Sequence, residues 1–161
     1  LAGFDACFFT LGTSAVGLTE AQYTRVTYDL TLAVARMLVR LNPGMTFTYV
    51  SGTGTNANGR MMWARVKGAT ENALLALPFR AAYMFRPGYI QPLHGIKTKT
   101  RWYGALYAVM APLYPLWRTI IPKYVTTTEN VGRAMLVAAK RGAPNKILES
   151  ADINQLANTK S

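Results

Sequence analysis

The chain has 161 residues, half of them hydrophobic and 16% charged, which suits one folded domain with a proper core and leaves no disordered tail to explain. Its 18 Lys+Arg against 7 Asp+Glu give a net charge of +11, favouring anionic partners such as a nucleotide phosphate, nucleic acid or an anionic membrane surface, beside the plainer reading of a basic, soluble surface. One cysteine, Cys7, excludes an internal disulfide and fits a reducing, cytoplasmic compartment; one histidine, His94, argues against a zinc site; and no aromatic-studded basic module of the RNA-recognition kind is present.

LAGFDACFFTLG reads as the middle of a fold, so the chain is expected to begin part-way through a larger protein. Ala6 to Leu11 is a short continuous apolar run, the pattern of a strand buried on both faces. GTSAVG, Gly12 to Gly17, comes next as a small-residue loop that lets backbone approach a ligand. Thr19 and Gln22 form a T-x-x-Q capping box that opens a long helix. Its apolar positions Val26, Leu30, Val34, Met37, Leu38 and Leu41 keep helical spacing, and Asn42-Pro43-Gly44 stops it. Met45 to Val50 predicts the second strand, running into Ser51 and the polar loop Gly52 to Gly59. Arg60 to Leu77 predicts a helix with Met62, Val66, Ala69, Ala73 and Leu77 along one face. On it, Trp63 and Lys67 sit one turn apart on the same side.

Arg80 to Phe85 predicts a third strand, followed by RPGYIQPLHG as a Pro/Gly loop. Trp102 to Ile121 is strongly apolar, flanked by Lys97, Lys99 and Arg101 before and by Arg118 and Lys123 near its end. A membrane span needs about 20 apolar residues, and Pro112 and Pro115 interrupt this one. A lid or substrate-pocket helix pair is expected there, with peripheral membrane contact through 97–123 as the alternative. Thr126 to Ala139 predicts another helix, Asn145 to Glu149 a fourth strand, and 154–161 a polar tail. Strands alternating with helices predict an α/β fold with a parallel sheet. Ligands in such sheets bind beyond the carboxyl ends of the strands, which here carry GTSAVG, SGTGTN and RPGYIQ. No G-x-G-x-x-G phosphate-binding turn is present.

A hydroxyl at a strand end, a loop, then an aromatic and a lysine at i and i+4 resembles the catalytic region of the short-chain dehydrogenase/reductase family, where the pattern is Ser, then Tyr-x-x-x-Lys. DACFFTLGTS resembles that family's fourth strand and its cofactor-edge loop, and YVSGTGT its fifth strand with the serine. FRPGYIQPLHG is similar to the R-P-x-x-(I/V)-x-G-P segment of extended members, and YVTTTENVGRAM to the start of a late helix in them. From Asp5 to about Ile153 the chain looks like the back portion of an atypical or extended member of the NAD-dependent epimerase/dehydratase kind.

The resemblance implies a partial Rossmann-type parallel sheet with flanking helices, lacking the first strands, over 1–153, with the apolar segment at about 95–124 as substrate lid. The strand at Asp5–Leu11 is then an exposed apolar edge. It implies NAD or NADP held by Gly12, Thr13, Ser14, Ser51, Lys67, Pro87, Gly88, Tyr89 and Ile90, a catalytic set of Ser51, Trp63 and Lys67, and a small or hydrophobic substrate. No metal and no nucleic acid are expected. Trp63 stands where the family has its tyrosine, and an indole N–H donates a hydrogen bond but has no accessible pKa for proton transfer. Thr27 stands where extended members often carry an asparagine. Tyr89 is expected to pack and His94 to be a loop residue, with a replacement acid as the alternative role. The expected function is an atypical NAD(P)-binding oxidoreductase or epimerase/dehydratase, with a non-catalytic cofactor-binding or membrane-surface protein as the alternative.

Overall fold

A computed structural model of the chain describes residues 1–93 and 124–159. Four strands, β1 (Ala6–Phe9), β2 (Thr46–Val50), β3 (Ala81–Arg86) and β6 (Ile147–Glu149), form a parallel sheet in the order β1-β2-β3-β6. The pairing is in register, with Ala6 beside Thr46, Thr46 beside Ala81, and Met84 beside Ile147. Helices α1 (Glu20–Thr24), α2 (Leu30–Leu41), α3 (Met62–Leu75), α4 (Thr128–Arg141) and α5 (Ser150–Ala157) lie between or after the strands. The architecture is α/β, consistent with part of a Rossmann-like fold.

Successive side chains of a strand point to opposite faces, and both faces of this sheet are covered. Phe47 and Tyr49 of β2, with Ala82 and Met84 of β3, pack against Leu32, Ala35 and Leu38 of α2 and Leu74 of α3. Tyr83 and Phe85 of β3, with Leu148 of β6, pack against Ala134, Met135 and Ala138 of α4 and Ile153 and Leu156 of α5. This two-sided burial is why AAYMF reads as an unbroken apolar run, and why Thr46 and Thr48, on the face opposite Phe47 and Tyr49, are buried as well. The strand at Ala6–Phe9 was expected to be buried on both faces as far as Leu11. It is shorter, with Phe8 40% and Leu11 66% exposed, because among the described residues β1 pairs with β2 alone and forms the sheet edge.

The long helix predicted from Thr19 is continuous, but five of its residues, Arg25–Asp29, form a π turn between α1 and α2. Both halves of the Thr19/Gln22 capping box are present. Asn42 ends α2 and its amide N–H donates to the carbonyls of Leu38 and Leu1, at 3.3 and 2.9 Å, tying the first residues to the helix end. The buried face differs from the predicted one. Val26, Leu30 and Leu41 are exposed, and Tyr23, Thr27, Thr31, Leu32, Ala35, Leu38 and Val39 are buried. The wider π turn rotates the faces of α2 relative to α1, and threonines at buried positions carry no apolar signal.

On α3 the predicted stripe also shifts. Ala64, Val66, Gly68, Thr70, Glu71 and Leu74 are buried and Ala69 is exposed, because the helix is gripped on more than one side. Two further corrections concern loops. Tyr89–Gln91, expected as Pro/Gly loop, is strand β4, paired in parallel with β5 (Val125–Thr127), a partner 36 positions away that local sequence does not show. The helix expected from Thr126 starts at Thr128, with the Thr127 hydroxyl accepting the Asn130 N–H as its cap. The tail expected over 154–161 is helical to Ala157, with Ile153 and Leu156 in the core. The apolar 102–121 segment, its basic flank and His94 lie outside the described residues.

Two glycine-to-alanine changes should move stability in opposite directions. A Cβ at Gly68 would collide with the backbone nitrogen of Ala57, so α3 and the loop must part; a loss of about 3 kcal/mol is expected. Gly132 on α4 has open space, so Gly132→Ala should gain about 0.5–1 kcal/mol of helix propensity. Urea midpoints of the two variants measure both.

Candidate functional site

The site is built where β2 and β3 end. Beyond Val50 the chain stays parallel to its neighbour: Ser51 N–H donates to the Phe85 carbonyl at 2.8 Å and Thr53 N–H to the Pro87 carbonyl at 3.0 Å. The loop then turns at Gly52 and Gly54, both in backbone conformations that favour glycine. A side chain at Gly54 would meet the Trp63 ring at 3.4 Å, so the indole lies over the loop. The Thr55 hydroxyl donates back to the Gly52 carbonyl at 2.7 Å and closes this turn.

α3 carries Trp63, Lys67 and Glu71 at intervals of four, which places them along one side of the helix. The Lys67 ammonium donates to the backbone carbonyl of Ser51. The Ser51 hydroxyl donates to Glu71 Oε1 at 2.5 Å. Glu71, 1% exposed, also receives Arg86 from the end of β3: Nε at 3.0 and 3.2 Å from its two oxygens, and Nη2 at 2.5 Å. A second carboxylate, Glu149 at the end of β6, lies 3.5 Å from Arg86 Nη1 and 3.2 Å from the Thr53 hydroxyl. The ends of three adjacent strands and one helix are thus joined by one polar network.

The electrostatics follow from burial. Glu71 holds the Arg86 guanidinium above its ordinary value, through the hydrogen bonds first and its charge second, against the opposing effect of burial. Burial pushes the Lys67 amine below its ordinary value of 10.5, and the nearby Glu71 charge only partly restores it. Lys67 is therefore a weaker base than a surface lysine, and one of its three N–H groups is already engaged.

The structure brings together Ser51, Trp63 and Lys67, all from the predicted set. Gly12, Thr13 and Ser14 follow β1 at the same carboxyl edge, in an exposed loop. Pro87 is buried, Gly88 N–H donates to the Ser150 hydroxyl at 2.9 Å, and the Tyr89 hydroxyl donates to Gln91 at 2.9 Å, with Ile90 half-buried beside it. Thr27 is buried in the π turn, which packs against α3. Sequence reasoning missed Glu71 and Glu149. The signal for Glu71 was available: it falls four residues after Lys67, on the side already marked by Trp63, and Arg86 at a strand end needs a carboxylate.

No family model matches the chain. It is similar to proteins named FMP52, mitochondrial: 36% identical over 91 residues to that of Eremothecium gossypii, covering 55% of this chain and 40% of the relative. It is 31% identical over 90 residues to the protein named FMP52-2, mitochondrial, of Scheffersomyces stipitis, covering 55% and 38%. The FMP52 of Candida glabrata is 35% identical over 86 residues, covering 52% and 36%. The chain spans about two fifths of the length of the relatives it matches. No helix among the described residues is long and apolar enough to cross a membrane.

Replacing Glu71 with Gln leaves Arg86, whose side chain is 19% exposed, without its buried counter-charge. A loss of about 3 kcal/mol is expected, partly recovered in the Glu71→Gln/Arg86→Met double variant, as chemical denaturation will measure. Lys67 gives a pH effect of defined sign. The unfolded chain keeps the lysine proton up to 10.5 and the folded chain releases it earlier, so unfolding takes up a proton in that window. Stability contributed by this group rises as pH climbs toward 10.5, and Lys67→Met should remove that rise from the pH dependence of unfolding.

Proposed function

We propose that the carboxyl edge of the sheet binds the nicotinamide half of NAD or NADP, and that the chain is the cofactor-binding back portion of a short-chain-dehydrogenase-like oxidoreductase or epimerase/dehydratase. One observation carries this reading: Lys67 stands over the end of β2, with the loop after β1 on one side and Pro87–Ile90 after β3 on the other. The donor set fits such a ligand. Two of the three N–H groups of Lys67 remain for ribose hydroxyls. Gly12 has open space where a side chain would stand, so backbone is accessible there. The cofactor, when bound, supplies or accepts a hydride. The chain's own residues bind and orient it, and Trp63 walls the loop without moving a proton.

A second reading, binding without turnover, is favoured by Ser51. Its hydroxyl is donated to Glu71 rather than left for a substrate oxygen, and its neighbour Trp63 is no acid. The names of the relatives support a mitochondrial location in place of the cytoplasmic one read from cysteine content.

Fluorescence titration with NADH, NADPH and nicotinamide mononucleotide tests the binding. Saturable binding is expected, weakened about tenfold by Lys67→Met through loss of a charge-assisted contact. Absence of binding for all three ligands overturns the proposal. Trp63→Tyr should then create carbonyl-reductase turnover if the rest of the site is intact. Comparable turnover by the unsubstituted chain would eliminate the non-catalytic reading.

A further inference from the structure

The opposite end of the sheet carries a second feature. Three clefts, of about 570, 240 and 310 Å³, adjoin one another around the amino ends of β3 and β6 and the last turns of α4. The first and second share Lys140 and Arg141, and the second and third share Arg80, Ala81 and Tyr83. Among the described residues they are lined by five cations, Arg80, Arg133, Lys140, Arg141 and Lys146, and by no carboxylate.

The fold fixes these positions. Arg80 immediately precedes β3 and its guanidinium donates to the Thr46 hydroxyl at 2.8 Å and to the Ala139 carbonyl at 3.2 Å. Lys146 immediately precedes β6, and its carbonyl accepts the Met84 N–H at 2.7 Å. Lys140 and Arg141 close α4, before the Gly142 turn. Carboxylates near this end are few: Glu129 pairs with Arg133 at 2.6 Å, and Asp5 adjoins Thr46 through its backbone carbonyl. Among the described residues no ion pair engages Lys140 or Lys146.

Cations in the last turn of a helix favourably answer its dipole, but that dipole amounts to about half a charge. Glu129 already answers Arg133, but Arg80, Lys140 and Lys146 together exceed the dipole, and their mutual repulsion disfavours the cluster unless an anion compensates it. Leu75, Leu77 and Phe79 line the cleft shared by Arg80 and Lys146, and Leu136 lines the first, so apolar surface alternates with charge.

We propose that this end of the sheet is an anion site for a ligand bearing two or more clustered phosphates, distinct from the site at the carboxyl edge. A row of cations spread over adjoining clefts matches several phosphates better than one, and the apolar lining accommodates the organic part that carries them. The phosphates come from a soluble compound or from phospholipid headgroups.

Calorimetry with tripolyphosphate and co-sedimentation with phosphatidylcholine vesicles, with and without phosphatidylglycerol, test this at low salt on the 161-residue chain. Binding is expected to weaken about tenfold in Lys140→Gln/Lys146→Gln, and to persist in Lys140→Arg/Lys146→Arg. Arg25→Gln/Arg60→Gln removes as much charge elsewhere on the surface and should leave it nearly unchanged. Dependence on the two lysines in the calorimetric arm identifies a soluble ligand, and in the vesicle arm alone a headgroup. Binding in neither arm, or equal weakening in the Arg25/Arg60 variant, overturns the proposal. Circular dichroism of each variant confirms that a folded chain was compared.

Discussion

The burial of Glu71 is the constraint on which the carboxyl edge depends. A carboxylate taken out of water costs several kcal/mol unless its oxygens are matched by donors. Here Arg86 supplies a two-point guanidinium contact and Ser51 a hydroxyl, so both oxygens are met. These partners come from different strands, and Glu71 comes from the helix between them. The pair therefore fixes how α3 sits across the ends of β2 and β3, and with it the place of Lys67 over Ser51.

That placement has a second support in packing. Gly68 lets α3 approach the backbone at Asn56 and Ala57 more closely than any side chain would permit. The residues on either side of this contact, Lys67 and Glu71, are the ones that reach the strand ends. The same closeness brings Trp63 against Gly54. The geometry of this edge is thus inherited from a helix held by a buried ion pair and a missing Cβ. The indole alters what that edge can do with a proton without altering where the edge is.

Charge is unevenly placed along the strand direction. Glu71 and Glu149 are drawn into the network at the carboxyl ends, where they neutralise Arg86. The amino ends keep Arg80, Lys140 and Lys146, so part of the excess of +11 faces outward there. The two ends of one sheet consequently present different chemistry: a polar edge with internally satisfied charges, and a row of cations among apolar side chains.

Much of the fold was legible in the chain. Apolar runs at Ala6–Phe9, Thr46–Val50 and Ala81–Arg86, the Thr19/Gln22 box and the Asn42-Pro43-Gly44 stop mark their elements because each depends on nearby residues. Trp63 and Lys67 were legible as a pair for the same reason, since helical spacing is a local fact; that Ser51 belongs with them is what the family resemblance implied. The pairing of Tyr89–Gln91 with Val125–Thr127 was not, since neither stretch contains any trace of the other. Nor was the buried face through Tyr23, Thr27 and Thr31, which a π turn and polar threonines conceal. The sequence by itself determined the order of the four sheet strands and the helices between them, the parallel sheet and the absence of a tyrosine at position 63. Only the tertiary structure decided that Glu71 turns inward to Arg86 and Ser51, and that five cations gather at the other end, because both depend on contacts between segments far apart in the chain.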